Sequence, residues 1–331
     1  MNSQKARSSH NPYQTVGLGV LLVGTLSLLF FTVPTHTFFW KAVNNSGHVP
    51  LFMVVSLLLL HLSRLLAEKL GWPPIRHYAV ALGGVVILAL MTEALQSLIP
   101  MRKPQVSDVI HDVLGAMCGL GLAITTDHSL SGKWAQWRTF PRRMLIPCGV
   151  VLVMAMTFLP VVEWTYAYWD RANRFPSLLQ FASDWEMKFV NASDSHVQMV
   201  PPPLGWGKSA DDRVGKVVFH TKKYPRIRLD EPYPDWEGYS YLHLDIFSEL
   251  PALQPMIIRI DDQYNKYRSE DAFNKILTIT PGLNPIQIPL DEIRLGPVGR
   301  EMDLKAIKSI WLYARSPSEE FTLYLDNIHL E

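Results

Sequence analysis

Five apolar runs fall within the first 165 positions, at roughly 16–33, 48–66, 77–99, 109–126 and 144–162. Each has the length at which a helix, rising about 1.5 Å per residue, crosses a hydrocarbon core of roughly 30 Å. Five such runs leave too little polar surface for a soluble globule. Residues 1–165 are therefore expected to form an all-α transmembrane helical bundle of five spans. Run two is the least clean, because His48, His61 and Arg64 fall within or beside it. Run four carries Gly115, Gly119 and Gly121, which suits close helix packing. The first run is long and no small-x-small site follows it, so a cleaved signal peptide is not expected.

Loop charge sets the orientation. Lys5 and Arg7 precede run one; Arg64, Lys69 and Arg76 end or follow run two; Lys133, Arg138, Arg142 and Arg143 follow run four. The alternate loops hold only Lys41, Arg102 and Lys103. Positive loops stay on the cytoplasmic side. The N-terminus is thus expected in the cytoplasm of an inner or plasma membrane, and the chain beyond about 165 in the periplasmic or extracellular space.

The second half has a different character. Trp164, Tyr166, Tyr168 and Trp169 read as a headgroup-level belt, with an interfacial linker over 166–175. Beyond it the apolar residues alternate, as in "YLHLDIF", "PMIIRIDD", "NPIQIPL", "KSIWLYA" and "FTLYLDNIHL". "WEMKFV" and "GKVVFHT" are earlier strand candidates, and "LDEIRL" a short helix or turn. Many short strands separated by Pro- and Gly-rich breaks predict an all-β antiparallel jelly-roll sandwich over 176–331. Both cysteines, Cys118 and Cys148, lie in apolar runs, so disulfides cannot staple the sandwich. Residues 170–331 carry 19 Lys/Arg against 24 Asp/Glu. That mildly acidic balance argues against a nucleic-acid partner.

The junction "TEALQSLIPMRKPQVSDVIHDVLG" places ionisable groups at the ends of two spans. Glu93 and Gln96 share one helical face, Pro100 ends the helix, and Arg102 can fold back toward Glu93. Ser107 is a candidate N-cap, and Asp108 suits the positive end of the helix dipole. Asp108, His111, Asp112 and Gly115 recur on one face, and His48 begins run two on the same outer side. Intramembrane charge is costly, so these faces must point into the bundle or a wet cavity. Three readings stay open: a structural ion-pair and capping cluster, a pocket in which Arg102 clamps a phosphate headgroup, or a catalytic centre of Glu93, Arg102 and Asp108. No obvious nucleophile accompanies it. A metal site from His48, His111, Asp112 and Asp108 lacks a recognised ligand spacing.

The pattern E-x-x-Q-x-x-x-P-x-R followed by S-D-V-x-x-D-x-x-G resembles the VanZ-like family of multi-span bacterial membrane proteins. Glu93, Gln96, Pro100, Arg102, Asp108 and Gly115 match, and His48 resembles the family's histidine near an earlier span. Asp112 stands where the family usually has Asn. The resemblance covers about 16–126 and implies a cell-envelope role linked to glycopeptide-antibiotic tolerance. Residues 176–331 resemble galactose-binding-like jelly-roll modules of carbohydrate-active proteins, through "FASDWEMKF", "GYSYLHLDIFSE", "TPGLNPIQIPLDEI" and "FTLYLDNIHL". Such modules bind glycans on exposed aromatics and some hold a structural calcium. The candidate ligand residues are Trp206, Tyr224, Trp236, Asp261, Asp262, Tyr264 and Tyr267, with Asp261, Asp262 and Asp326 as candidate calcium ligands. Trp185 and Trp311 lie inside strand patterns and are expected in the core.

The expected function is recognition of envelope glycans or lipid-linked saccharides at the outer face. Its partners would be a membrane lipid or lipid-linked glycan, and polysaccharide. The alternatives are an intramembrane enzyme acting on an envelope lipid, and a scaffold on which the sandwich docks a protein.

Overall fold

The computed structural model describes residues 12–27, 37–97, 105–132, 136, 139–266 and 268–331. The chain divides into two compact units between Trp164 and Thr165.

The first unit contains α1 (Pro12–Ser27), α2 (Phe38–Leu66), α3 (Pro74–Gln96), α4 (Val106–Thr126) and most of α5, which runs from Phe140 to Arg174. Four helices, α2 to α5, are long and apolar enough to cross a membrane among the described residues. Helix α1 has 16 described residues, short of that length, so four candidate spans are found among the described residues where five spans were expected. Helix α2 begins ten residues before its apolar run. Thr37 caps it, accepting from the Trp40 amide at 3.3 Å, and the polar segment Lys41–Gly47 continues the helix. Gly71, at φ +60°, turns the chain into Pro73 and Pro74, and Pro74 occupies the first helical position of α3, where its missing N–H costs nothing. The N-cap position of α4 is Gln105, two residues before the expected cap. Ser107 instead lies in the first turn and donates to Asp108 Oδ1 at 3.2 Å.

Helices α2, α3 and α4 pack together around Phe52, Val55, Val85, Ala89 and Ala116, all fully buried. Asp127, just beyond α4, ties three elements at one end of this core. It pairs with Arg64 of α2, accepts from the Tyr78 hydroxyl of α3 at 2.8 Å, and accepts from the Ser129 amide at 2.9 Å. Burial would push this carboxyl up, but the Ser129, Tyr78 and Arg64 bonds outweigh it and hold the pKa down at about 2.

The second unit holds two antiparallel sheets. One runs β3 (Ser195–Val200), β4 (Val214–Phe219), β11 (Phe321–Leu330), β6 (Tyr241–Ser248), β9 (Gly282–Pro289), with β1 (Ser177–Leu179) also on β11. The other runs β2 (Val190–Ser193), β5 (Arg226–Asp230), β10 (Ile307–Tyr313), β7 (Gln254–Asp262), β8 (Phe273–Ile279). The alternation read from the sequence sets the faces. Leu242, Leu244 and Ile246 of β6, Ile258 and Ile260 of β7, and Ile310 and Leu312 of β10 are buried. Fully burying each such side chain stabilises by roughly 1.5–3 kcal/mol. Gly215 lets β4 pass under the Phe181 ring, which a Cβ there would meet at 2.3 Å. The segment read as the strand "WEMKFV" begins instead as a helical turn, α6 (Asp184–Met187). Glu186 fixes that turn by accepting from the Ala182 amide at 2.7 Å. Residues 290–294 form α7, as expected.

Candidate functional site

Two places gather chemistry, one in each unit. In the bundle, Gly115 and Gly119 let α4 approach α2 at backbone distance. A Cβ on Gly115 would lie 2.3 Å from the Val49 carbonyl oxygen, and one on Gly119 2.5 Å from that of Met53. This approach brings His48 of α2 against Asp112 of α4, Nδ1 to Oδ1 at 2.8 Å. An ionised carboxylate only accepts, so an ionised Asp112 requires the hydrogen on Nδ1. Both groups are buried, with Asp112 only 1 % exposed.

Glu93 and Asp108 are also buried. Glu93 Oε2 accepts from the Gln105 amide at 2.8 Å, so a carboxylate on α3 caps the start of α4. Asp108 sits in the first turn of α4, at the positive end of its dipole. His111 Nδ1 is buried without a hydrogen-bond partner among the described residues. The structure thus brings together His48, Glu93, Asp108 and Asp112. Arg102 lies outside the described residues, as does the side chain of Gln96. No group of three His, Cys, Asp or Glu side chains among the described residues is placed to hold a metal ion. The metal reading of His48, Asp108, His111 and Asp112 thus finds no such group among the described residues, where His48 and Asp112 pair with each other instead.

In the sandwich, most of the expected ligand residues face inward. Trp236 is fully buried and donates to the Tyr233 carbonyl at 2.7 Å. Trp206 is buried and stacks on Phe247 at 5.5 Å. Neither ring is open for a sugar to stack on. Asp262 is buried and held by Arg300 at 2.5 and 2.8 Å; Asp261 is held by Arg259 at 2.8 Å and Asn265 at 2.9 Å. Asp326 pairs with Lys208. These carboxylates are engaged by protein cations or amides. Tyr264 is exposed, and Tyr267 lies outside the described residues.

A different face is built for contact. The outward positions of β5, β10 and β7 line up in register. Arg228 opposes Trp311, which opposes Arg259; Arg226 opposes Tyr313. Trp311, expected in the core, is half-buried on this outer face. Its ring has the guanidinium carbons of Arg228, Arg226 and Arg259 at 4.9, 5.3 and 5.6 Å from its centre. Its indole N–H donates to Ser309 Oγ at 2.8 Å. Asp230 holds Arg228 at 2.6 Å, as Asp261 holds Arg259. Beside this array lies an open cleft of about 380 Å³, to which Tyr224, Arg226, Arg259, Trp311, Tyr313 and Arg315 contribute. The signal was present in "RIRL", "IIRI" and "IWLY", where arginine and aromatic residues occupy the positions between the apolar ones. Without the strand order, nothing said that the three segments are neighbours.

No curated protein matches the chain. Among solved structures, similar folds include an exo-β-agarase, at 18 % identity over 47 % of this chain and 24 % of that one, TM-score 0.39. A family 11 carbohydrate-binding module from Clostridium thermocellum, in complex with a β-1,3-1,4-mixed-linked tetrasaccharide, matches at 18 % identity over 43 % of this chain and 86 % of that one, TM-score 0.34. A family 30 carbohydrate-binding module of a cellulosomal cellulase from the same organism matches at 12 % identity over 43 % and 90 %, TM-score 0.34. The chain thus spans about a quarter of the agarase. Residues 3–127 match the VanZ/LLP1 family model, so the resemblance read from Glu93, Asp108 and Gly115 is borne out, and the N-terminal region is VanZ-like.

Proposed function

We propose that this protein is an integral membrane protein that recognises saccharides of the cell envelope through its β-sandwich, with the VanZ-like bundle as the membrane-embedded part. The observation that carries the reading is the cleft beside the β5–β10–β7 face. It combines aromatic rings with fixed hydrogen-bond donors, the mixture a sugar needs for its apolar face and its hydroxyls. Its volume lies within the roughly 300–1,000 Å³ of small-ligand clefts. In this reading α1 is a fifth span, the sandwich is a jelly roll on the outer side of the membrane, and glycopeptide tolerance follows from envelope binding. A lipid-linked saccharide is the preferred ligand class, because a membrane-tethered module meets such a ligand at high effective concentration.

The buried His48–Asp112 pair, with the buried carboxyls of Glu93 and Asp108 in the same bundle, favours a second reading, proton chemistry on an envelope lipid. Full-length protein in nanodiscs, presented to a glycan array, tests the first. Binding that is lost in Tyr313→Ala supports it. Silence across the array removes it.

A further inference from the structure

The composition of the cleft points to a narrower ligand class. Three guanidinium groups line it, Arg226, Arg259 and Arg315, and no carboxylate does. Arg259 is already paired with Asp261 at 2.8 Å. No acidic partner holds Arg226 or Arg315 among the described residues, and Arg315 is exposed. Lys223 adds a further cation, 5.4 Å from the ring centre of Tyr224. The carboxylates on this face, Asp230 and Asp261, sit one row further along the strands, where they hold Arg228 and Arg259 in place.

Trp311 has a different role here from a sugar-stacking platform. Arginines crowd its ring from both neighbouring strands. Stacking on an aromatic face steadies a guanidinium while leaving its N–H groups free to donate. The rings left to meet a sugar are Tyr224, which is exposed, and Tyr313, half-buried beside it with ring centres 6.3 Å apart. Arg315 also lines a second depression of about 570 Å³, formed with Leu253, Gln254 and Pro317, which gives an extended ligand room to continue. Glu319 also lines that second depression, but no ion pair joins it to Arg315 among the described residues.

A neutral saccharide laid on Arg226 would strip water from a cation and return no charge, which is costly. A carboxylate, sulfate or phosphate on the sugar removes that penalty and fits the planar fork with two parallel bonds. We propose that this cleft selects anionic saccharides, with Arg226 and Arg315 as the residues that read the acidic substituent. The proposal rests on the saccharide reading above and adds the charge of the ligand to it.

The test uses the full chain in nanodiscs of zwitterionic lipid. Oligogalacturonate and a chondroitin sulfate oligosaccharide are compared with a neutral gluco-oligosaccharide of equal length. The anionic ligands are expected to bind at least about thirtyfold more tightly. Arg226→Gln and the exposed Arg315→Gln should each weaken them about tenfold, equivalent to about 1.4 kcal/mol. Lys305→Gln makes the same charge change outside the cleft, where Lys305 pairs with Glu237, and should leave affinity unchanged. Equal affinity for the neutral ligand overturns the anionic selection and leaves the saccharide reading standing. No binding of any saccharide overturns that reading itself. Polyglutamate or polyphosphate binding as tightly as the uronide would show a general polyanion patch and overturn both, as would an equal loss in Lys305→Gln.

Discussion

Replacing Gly115 by alanine would place a methyl 2.3 Å from the carbonyl oxygen of Val49 and 3.1 Å from its carbonyl and α carbons. These are backbone atoms in mid-helix and cannot swing aside. Ordinary contact begins near 3.4 Å, so α2 and α4 must part by about 1 Å at this level. His48 precedes Val49, and Asp112 lies three residues before Gly115, nearly one turn away. Opening the crossing by that amount stretches the 2.8 Å His48–Asp112 bond to about 3.8 Å, where it no longer counts as a hydrogen bond. Overpacking costs roughly 1–3 kcal/mol. Losing a buried hydrogen bond to a charged group adds roughly 1.5–3 kcal/mol. Together the expected destabilisation is about 2.5–6 kcal/mol.

Reversible unfolding in mixed micelles, titrated with SDS and followed by tryptophan fluorescence, measures this. Gly83→Ala is the internal control, since a Cβ there meets nothing within 4 Å. Relief of the glycine's backbone entropy should make it neutral or stabilising by roughly 0.5–1 kcal/mol. If Gly115→Ala unfolds within about 0.5 kcal/mol of the wild type, the helices are not in backbone contact, and the placement of His48 against Asp112 is wrong.

Three further outcomes are expected. Asp127 has its pKa depressed to about 2 from 3.8, so its contribution to stability is complete above about pH 4 and is lost as the pH falls through about 2; melting curves at pH 5, 3 and 2 should show that loss, and Asp127→Asn should flatten it. Glu93→Gln keeps an oxygen that can accept from the Gln105 amide and removes only charge; a capping role predicts a stability change under about 1 kcal/mol with function intact, whereas abolished turnover of a membrane lipid would favour the catalytic reading. Leu204→Cys, 97 % exposed, in a background with Cys118 and Cys148 replaced by Ala, should react in intact cells with a membrane-impermeant maleimide; labelling only after lysis would reverse the proposed orientation.

Period and length were legible in the sequence, and adjacency was not. The presence of α3, at Pro74–Gln96 against an expected run of 77–99, and the inward faces of β6, β7 and β10 follow from spacing alone, because hydropathy repeats along a single element. The start of α2 was hidden, because Lys41, Asn44 and Asn45 are polar although the backbone stays helical. The pairing of Glu93 with the start of α4 could be anticipated from a short connection between two polar faces. The Gln105 amide as a partner of Glu93 could not, since no side-chain pattern marks a backbone donor; the expected Arg102 lies outside the described residues. The tryptophans show the same limit. Trp236 sits in a Pro- and Gly-rich break and is buried, while Trp311 sits in mid-strand and is half-buried, because its flanking strands present arginines rather than a second sheet.

The two gatherings of charge differ in how completely the protein satisfies them. In the bundle, Asp112 holds His48, Glu93 caps Gln105, and Asp108 meets the dipole of its own helix. Each acid has a structural partner, which is what a lock between helices in a low-dielectric medium requires, since an unpaired charge there is costly. In the sandwich cleft the balance runs the other way. Arg259 is neutralised by Asp261, but Arg226 and Arg315 line the cleft with no carboxylate partner among the described residues. Satisfied charges hold a fold together, and uncompensated ones at an open cleft are available to a ligand. That asymmetry favours the sandwich as the recognition surface and the bundle cluster as the feature that fixes α2, α3 and α4.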